Sequence, residues 1–98
     1  MIGKNSSQIL TGSGIVCNSP AYYYGFSALT DGADRYLRVW DSPTTVAGAV
    51  VESYEIDGSK STDVNEHSVP VYCSSGIYAG MEGGSYVIYF YQFPLQKR

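Results

Sequence analysis

The sequence predicts an all-β fold: a single antiparallel β-sandwich or jelly-roll-like barrel of about seven to eight short strands, with essentially no helix. Three observations lead there. No apolar repeat of 3.6 residues persists over a helix length. Short runs rich in Val, Ile, Tyr and Phe recur roughly every ten residues. Eleven glycines and four prolines punctuate those runs. At 98 residues the chain forms one domain, because a chain this size hides only roughly 60–65% of its unfolded surface and has none to spare for a second core. The expected layout is a flexible N-terminal arm over 1–7, a β-sandwich domain over 8–94 and a basic tail over 95–98.

Taken in order, the polar segment to Ser7 reads as a mobile arm. Gln8 to Cys17 is apolar but interrupted by Gly12-Ser13-Gly14, so it is one bulged strand or two short ones, ended by Asn18-Ser19-Pro20. Ala21–Thr30 and Arg35–Asp41, joined by Asp31-Gly32-Ala33-Asp34, read as a hairpin. Alternation puts Tyr22, Tyr24, Phe26 and Ala28 on one face of its first strand, the stronger apolar stripe, and Tyr23, Gly25, Ser27 and Leu29 on the other. In its second strand Leu37 and Val39 face inward, because Arg38 is costly to bury; Tyr36, Arg38 and Trp40 then form an outward row.

After the turn Asp41-Ser42-Pro43-Thr44, the segment Thr45-Val46-Ala47-Gly48 leads into Ala49–Ile56, whose in/out assignment is ambiguous. Asp57-Gly58-Ser59-Lys60 closes a turn, and Ser61–Ser68 is a loop or a short edge strand ended by Val69-Pro70. Val71-Tyr72-Cys73 and Ile77-Tyr78-Ala79 form a short pair. Glu82-Gly83-Gly84 makes the next turn, and Ser85–Phe93 is the longest β pattern, apolar on both faces. Such a strand is covered on two sides or lies at an interface.

Charge narrows the function. The net charge is −3, and between Asn5 and Gln96 only Arg35, Arg38 and Lys60 stand against all nine carboxylates. An acidic body lacks the cations that displace counterions from phosphates, so no nucleic-acid partner is expected. No apolar run reaches a membrane span, and Met1-Ile2-Gly3-Lys4-Asn5 lacks a signal-peptide core, so cytoplasmic synthesis with no membrane partner is expected. In that setting Cys17 and Cys73 are read as free thiols.

No catalytic motif emerges. His67 is the single histidine, with no local nucleophile beside it. Gly25-Phe26-Ser27-Ala28-Leu29 lacks the second glycine of a nucleophile elbow, and Gly12-Ser13-Gly14 lacks the lysine of a phosphate loop. Cys17, Cys73 and His67 lack zinc-site spacing, and turn chemistry accounts for Asp31 and Asp34 without calcium. The reading is therefore a non-enzyme without metal or cofactor.

What stands out is the surface. Charged residues are 15% and aromatics 14%, against roughly 25% charged in ordinary soluble domains. Ten tyrosines are more than one small core needs, and tyrosine is a rigid, amphipathic interface residue. The candidate protein interface is Tyr22, Tyr23, Tyr36, Arg38, Trp40, Tyr54, Tyr89 and Tyr91.

The layout YYYGFSALTDGADRYLRVWDS, then VAGAVVESYEIDG, then VPVYCSSGIYAGMEGGSYVIYFY resembles small single-domain β-sandwich virion structural proteins of tailed bacteriophages. The positions carrying it are Tyr24-Gly25, Trp40-Asp41, Gly48-Ala49-Val50, Cys73-Ser74-Ser75-Gly76-Ile77-Tyr78 and Val87–Tyr91, within residues 12–93. The resemblance implies a non-enzymatic capsid cement or decoration protein on the outer face of the head shell. Its partners would be the major capsid protein or other virion proteins, and it would form a homo-oligomer, with a trimer favoured. The alternatives are a neck, tail or fibre-base component, or a carbohydrate- or receptor-binding module in which Trp40 and Tyr36, or the Tyr22–Tyr24 cluster, stack on sugar rings.

Overall fold

The computed structural model of the chain describes residues 5–44 and 49–92. These contain seven strands and no helix: β1 (Asn5–Ser6), β2 (Leu10–Cys17), β3 (Ala21–Leu29), β4 (Arg35–Asp41), β5 (Ala49–Ile56), β6 (Thr62–Cys73) and β7 (Ile77–Gln92). Every pairing is antiparallel. The strands make one curled sheet in the order β5-β4-β7-β3-β6, with β1 and β2 also paired to β7. The all-β, antiparallel expectation holds.

The long strand β7 organises the sheet. Its first part lies between β2 and β4, with Gly80 opposite both Ser13 and Arg38. Its second part lies between β3 and β1, with Phe90 opposite both Tyr23 and Asn5. Between these parts the buried positions change phase, from Ile77, Ala79 and Met81 to Tyr86, Ile88 and Phe90. Gly84 absorbs the extra residue with φ +77°, a left-handed conformation that costs glycine little. The expected turn at Glu82-Gly83-Gly84 is thus a kink inside one strand.

A similar slip occurs in β3, where the register shifts between Tyr23 and Gly25. Ala21 and Tyr23 are buried before it, Phe26 and Ala28 after it. The expected stripe is therefore correct for Phe26 and Ala28 and inverted for Tyr22, Tyr23 and Tyr24. Gly25 is required at this bulge: it has φ +141°, and a Cβ there would stand 2.1 Å from the Asn65 carbonyl oxygen. Opposite it, β6 advances from Glu66 to Val71 while β3 advances from Gly25 back to Tyr23, so His67 to Pro70 bulge out of the ladder. The bulge accommodates Pro70, which cannot donate to a ladder.

Leu37 and Val39 are fully buried, as the cost of burying Arg38 requires. They pack with Tyr23, Phe26, Ile56, Ile77 and Ile88 in one apolar cluster, against which Tyr54 lies with its ring edge-on to Phe26. The buried Cys17 and Cys73 are both free thiols. Burial, then the charge of Asp41, pushes the Cys73 thiol up to about 12.

The sheet curls far enough to bring its end strands β5 and β6 together, and a polar clasp joins them. Tyr23 Oη donates to Glu52 Oε1, Asn65 Nδ2 donates to Glu52 Oε2 at 2.6 Å, and His67 Nε2 faces Glu52 Oε1 at 3.2 Å. Further along, the Asp57 amide donates to Asp63 Oδ2 at 3.3 Å. This explains how the polar segment expected to be a loop or short edge strand becomes most of a 12-residue strand. Its inward Asp63, Asn65 and His67 all find partners across the seam. The end of the expected mobile arm is also held: Asn5 and Ser6 pair with Phe90 and Tyr89, and the Ile88 amide donates to Ser7 Oγ at 2.9 Å. The rest of that arm, the lead-in over 45–48 and the basic tail lie outside the described residues.

Asp41 fixes the turn between β6 and β7. Its carboxylate accepts the amides of Ser74, Ser75 and Gly76 at 3.0, 2.8 and 3.3 Å, and the Ser74 hydroxyl at 3.2 Å. Partial burial raises its pKa, but these donors outweigh it and hold the carboxyl below its usual range. Asp31, through Arg35, and Asp57, through Ser59, are lowered as well. A carboxyl depressed on folding stabilises the fold fully above its unfolded pKa, near 3.9, and loses that contribution as pH falls through the folded value. The urea midpoint should therefore be flat from about pH 7 to 5 and fall below about pH 4. Asp41→Asn should flatten part of that fall, and Asp41→Ala should cost about 1–2 kcal/mol at pH 7 after allowance for exposure. An unchanged acid limb in Asp41→Asn would remove Asp41 from this role.

Candidate functional site

The expected interface residues separate into three groups. Tyr23 and Tyr54 belong to the interior. Tyr23 is fully buried, its hydroxyl engaged by Glu52 and its pKa pushed up by burial, then by that hydrogen bond. Tyr54 is half-buried against Phe26 and the core. Neither is placed as a surface contact, because the β3 bulge turns Tyr23 inward and the curl of the sheet folds β5 over it.

Tyr36, Arg38 and Trp40 do come together, on the outer side of β4. Tyr36 is 49% exposed, and the Arg38 guanidinium lies 5.0 Å from its ring centroid. Trp40 meets Tyr78 of β7 edge-on at 6.1 Å. With Ser13, Gly80 and Glu82 this row borders a depression of about 210 Å³. Its floor is the backbone of Gly80, which sits in register between Arg38 and Ser13; a Cβ there would stand 2.5 Å from Ser13 Oγ. The sequence names the three β4 residues by alternation within one strand. Ser13, Tyr78, Gly80 and Glu82 escape it because cross-strand register joins them.

Tyr22, Tyr89 and Tyr91 lie on a different outer face, made by β6, β3 and β7. Register aligns Tyr72, Tyr22 and Tyr91 in one row, then Glu66, Gly25 and Tyr89, then Val64, Ser27 and Val87, then Thr62, Leu29 and Ser85. The Tyr22 and Tyr72 rings are 5.4 Å apart. Tyr72, Val64 and Leu29 are each more than half exposed, and Ile9, beside Leu29 and Val87, is 72% exposed. Glu66 is the charged residue of these rows. Val64 escapes the sequence because its segment is polar, and Tyr72 because its row with Tyr22 and Tyr91 is set by cross-strand register.

The cluster of titratable groups with the tightest geometry is the Glu52 clasp. Both carboxylate oxygens are occupied by Tyr23, Asn65 and His67, so its evident work is to join β5 to β6. Among the described residues no three His, Cys, Asp or Glu side chains gather as metal ligands. Asp31 and Asp34 instead bind the Ala33 amide with Arg35, and the Gly58 amide, respectively.

Because Trp40 is half-buried on an outer face, Trp40→Ala should keep the fold and cost at most about 2 kcal/mol, mainly its edge contact with Tyr78. Leu37→Ala, three positions away, should cost about 2–5 kcal/mol. Urea denaturation of the two variants checks the assignment, and a Trp40→Ala loss equal to that of Leu37→Ala would place the indole in the core. Compared with known proteins, the chain matches no family model, no curated protein and no solved structure.

Proposed function

We propose that this chain is a non-enzymatic building block that works by burying an outer sheet face against other protein subunits. The observation that carries this reading is the face of β6, β3 and β7. Among the described residues of its rows, the tyrosines and exposed Leu29 and Val64, with Ile9 beside them, are interrupted by one charge, that of Glu66. A surface so short of charge has little to lose in hydration and much apolar area to gain on contact. Three strands about 4.8 Å apart and about eight residues long make a patch of roughly 400 Å². That is half of the roughly 800 Å² each partner contributes to a stable pairwise contact. One such contact is weak, and symmetric repetition makes it strong through effective concentration.

Those requirements suit a capsid cement or decoration protein of a tailed bacteriophage, a homotrimer on the outer face of the head shell bound to the major capsid protein. This narrower identity rests on the sequence resemblance around Tyr24-Gly25, Trp40-Asp41 and the Cys73–Tyr78 segment. A neck, tail or fibre-base subunit would use the same face in the same way.

Sedimentation velocity of the purified chain is the direct test. The wild type is expected to sediment as a symmetric oligomer at micromolar concentration. Leu29→Asp and Tyr72→Glu should each weaken association at least tenfold, about 1.4 kcal/mol. Their melting points should barely change at a concentration where both proteins are monomeric, since these side chains are exposed in the single chain. A monomeric wild type that also fails to bind undecorated phage heads would overturn the reading.

A further inference from the structure

The depression beside Trp40 has a chemistry that contact with an apolar protein face would leave unused. The Arg38 guanidinium is held by the Tyr36 ring, and the ion pairs among the described residues, Arg35–Asp31 and His67–Glu52, do not include it. Its N–H donors therefore remain available. Glu82, exposed on the same rim, supplies carboxylate acceptors, and the Ser13 hydroxyl supplies both functions. Trp40 offers a broad aromatic surface. Gly80 adds no side chain of its own, and the Ser13 hydroxyl lies over it.

Size and charge then select the occupant. About 210 Å³ is below the roughly 300–1,000 Å³ of drug-sized sites, so the depression takes one ring or one side chain at a time. An anionic ligand meets Glu82, a cationic one meets Arg38, and a wholly apolar one dehydrates both without replacing their hydrogen bonds. A neutral ring with apolar C–H groups on its faces and hydroxyls around its edge meets none of these costs. Its C–H groups pack on the electron-rich aromatic face, its hydroxyls accept from Arg38 and donate to Glu82, and Ser13 can do either.

We infer that the depression lined by Tyr36, Arg38, Trp40, Ser13, Gly80 and Glu82 is a binding subsite for one neutral sugar ring of a saccharide chain. The site is open at the surface, and its lining residues, from β2, β4 and the first part of β7, are not those of the β6-β3-β7 rows. Because the two sets share no residue, the two activities are separable by mutation.

Trp40 is the single tryptophan, so its emission reports directly on the subsite. The full chain is titrated with glucose, galactose and N-acetylglucosamine, with a β-linked tetramer of each, and with glucuronic acid as a charged control. Binding is followed by tryptophan fluorescence and, for variants lacking the indole, by calorimetry. At least one neutral sugar is expected to bind with a dissociation constant near the millimolar range, its tetramer more tightly, and glucuronic acid more weakly. Arg38→Met, which retains a stem for the Tyr36 ring, and Glu82→Gln should each weaken binding at least fivefold, and Trp40→Ala should abolish it. Leu29→Asp should leave it unchanged even where it dissociates the oligomer. The inference fails if no neutral sugar of this set binds, if glucuronic acid binds best, or if Trp40→Ala retains full affinity. It also fails if Arg38→Met lowers the oligomer mass without affecting sugar binding, which would make the groove a protein contact.

Discussion

The sharing of β7 between both halves of the curled sheet is the constraint on which the rest of the structure depends. Ile77, Ala79 and Met81 serve the part next to β2 and β4, while Tyr86, Ile88 and Phe90 serve the part next to β3. The phase change at Gly83-Gly84 keeps both sets pointing into one core. A strand of alternating residues without that slip would expose one set while burying the other. The β3 bulge at Gly25 makes the matching adjustment on the neighbouring strand, so that Tyr23 and Phe26 both reach the interior.

Closing the curl brings a polar seam into the interior, and the Glu52 clasp satisfies it. Glu52 receives Tyr23, Asn65 and His67, and Asp63 receives the Asp57 amide. Among the buried side-chain nitrogen and oxygen atoms described, none lacks a partner. That matters because an unsatisfied buried polar group costs more than a typical hydrogen bond gains. With the seam satisfied, the outer faces are left for contact. The proposed assembly face and the proposed sugar subsite use different residues of one frame, one from β6, β3 and the second part of β7, the other from β4, β2 and the first part of β7.

Much of the fold was legible because alternation is a local signal. Leu37 and Val39 inward with Tyr36, Arg38 and Trp40 outward follow from simple alternation in a seven-residue strand whose pairing to β5 is regular over Arg35–Val39. Alternation fails where backbone irregularity changes the phase. Tyr22 and Tyr23 exchange faces because Gly25 bulges, and β7 reads as two strands because its kink carries two adjacent glycines that resemble a turn. β6 is hidden for another reason. Its inward residues are polar, and only the non-local approach of Glu52 and Asp57 makes that burial tolerable. The groove is half legible for the same cause: Trp40 declares itself, whereas Gly80 acquires meaning only from being opposite Arg38, and Ser13 from being opposite Gly80.

If β7 holds both parts of the sheet in one cooperative unit, its amides should report a single opening free energy. Native-state hydrogen exchange at low denaturant, resolved along Ile77–Gln92, measures this directly. The expected result is that the amides paired to β2 and β4 before the kink and those paired to β3 after it converge on the same global unfolding isotherm. Separate isotherms, with Ser85–Gln92 opening while Ile77–Met81 stays protected, would contradict the account and make the two parts independent folding units.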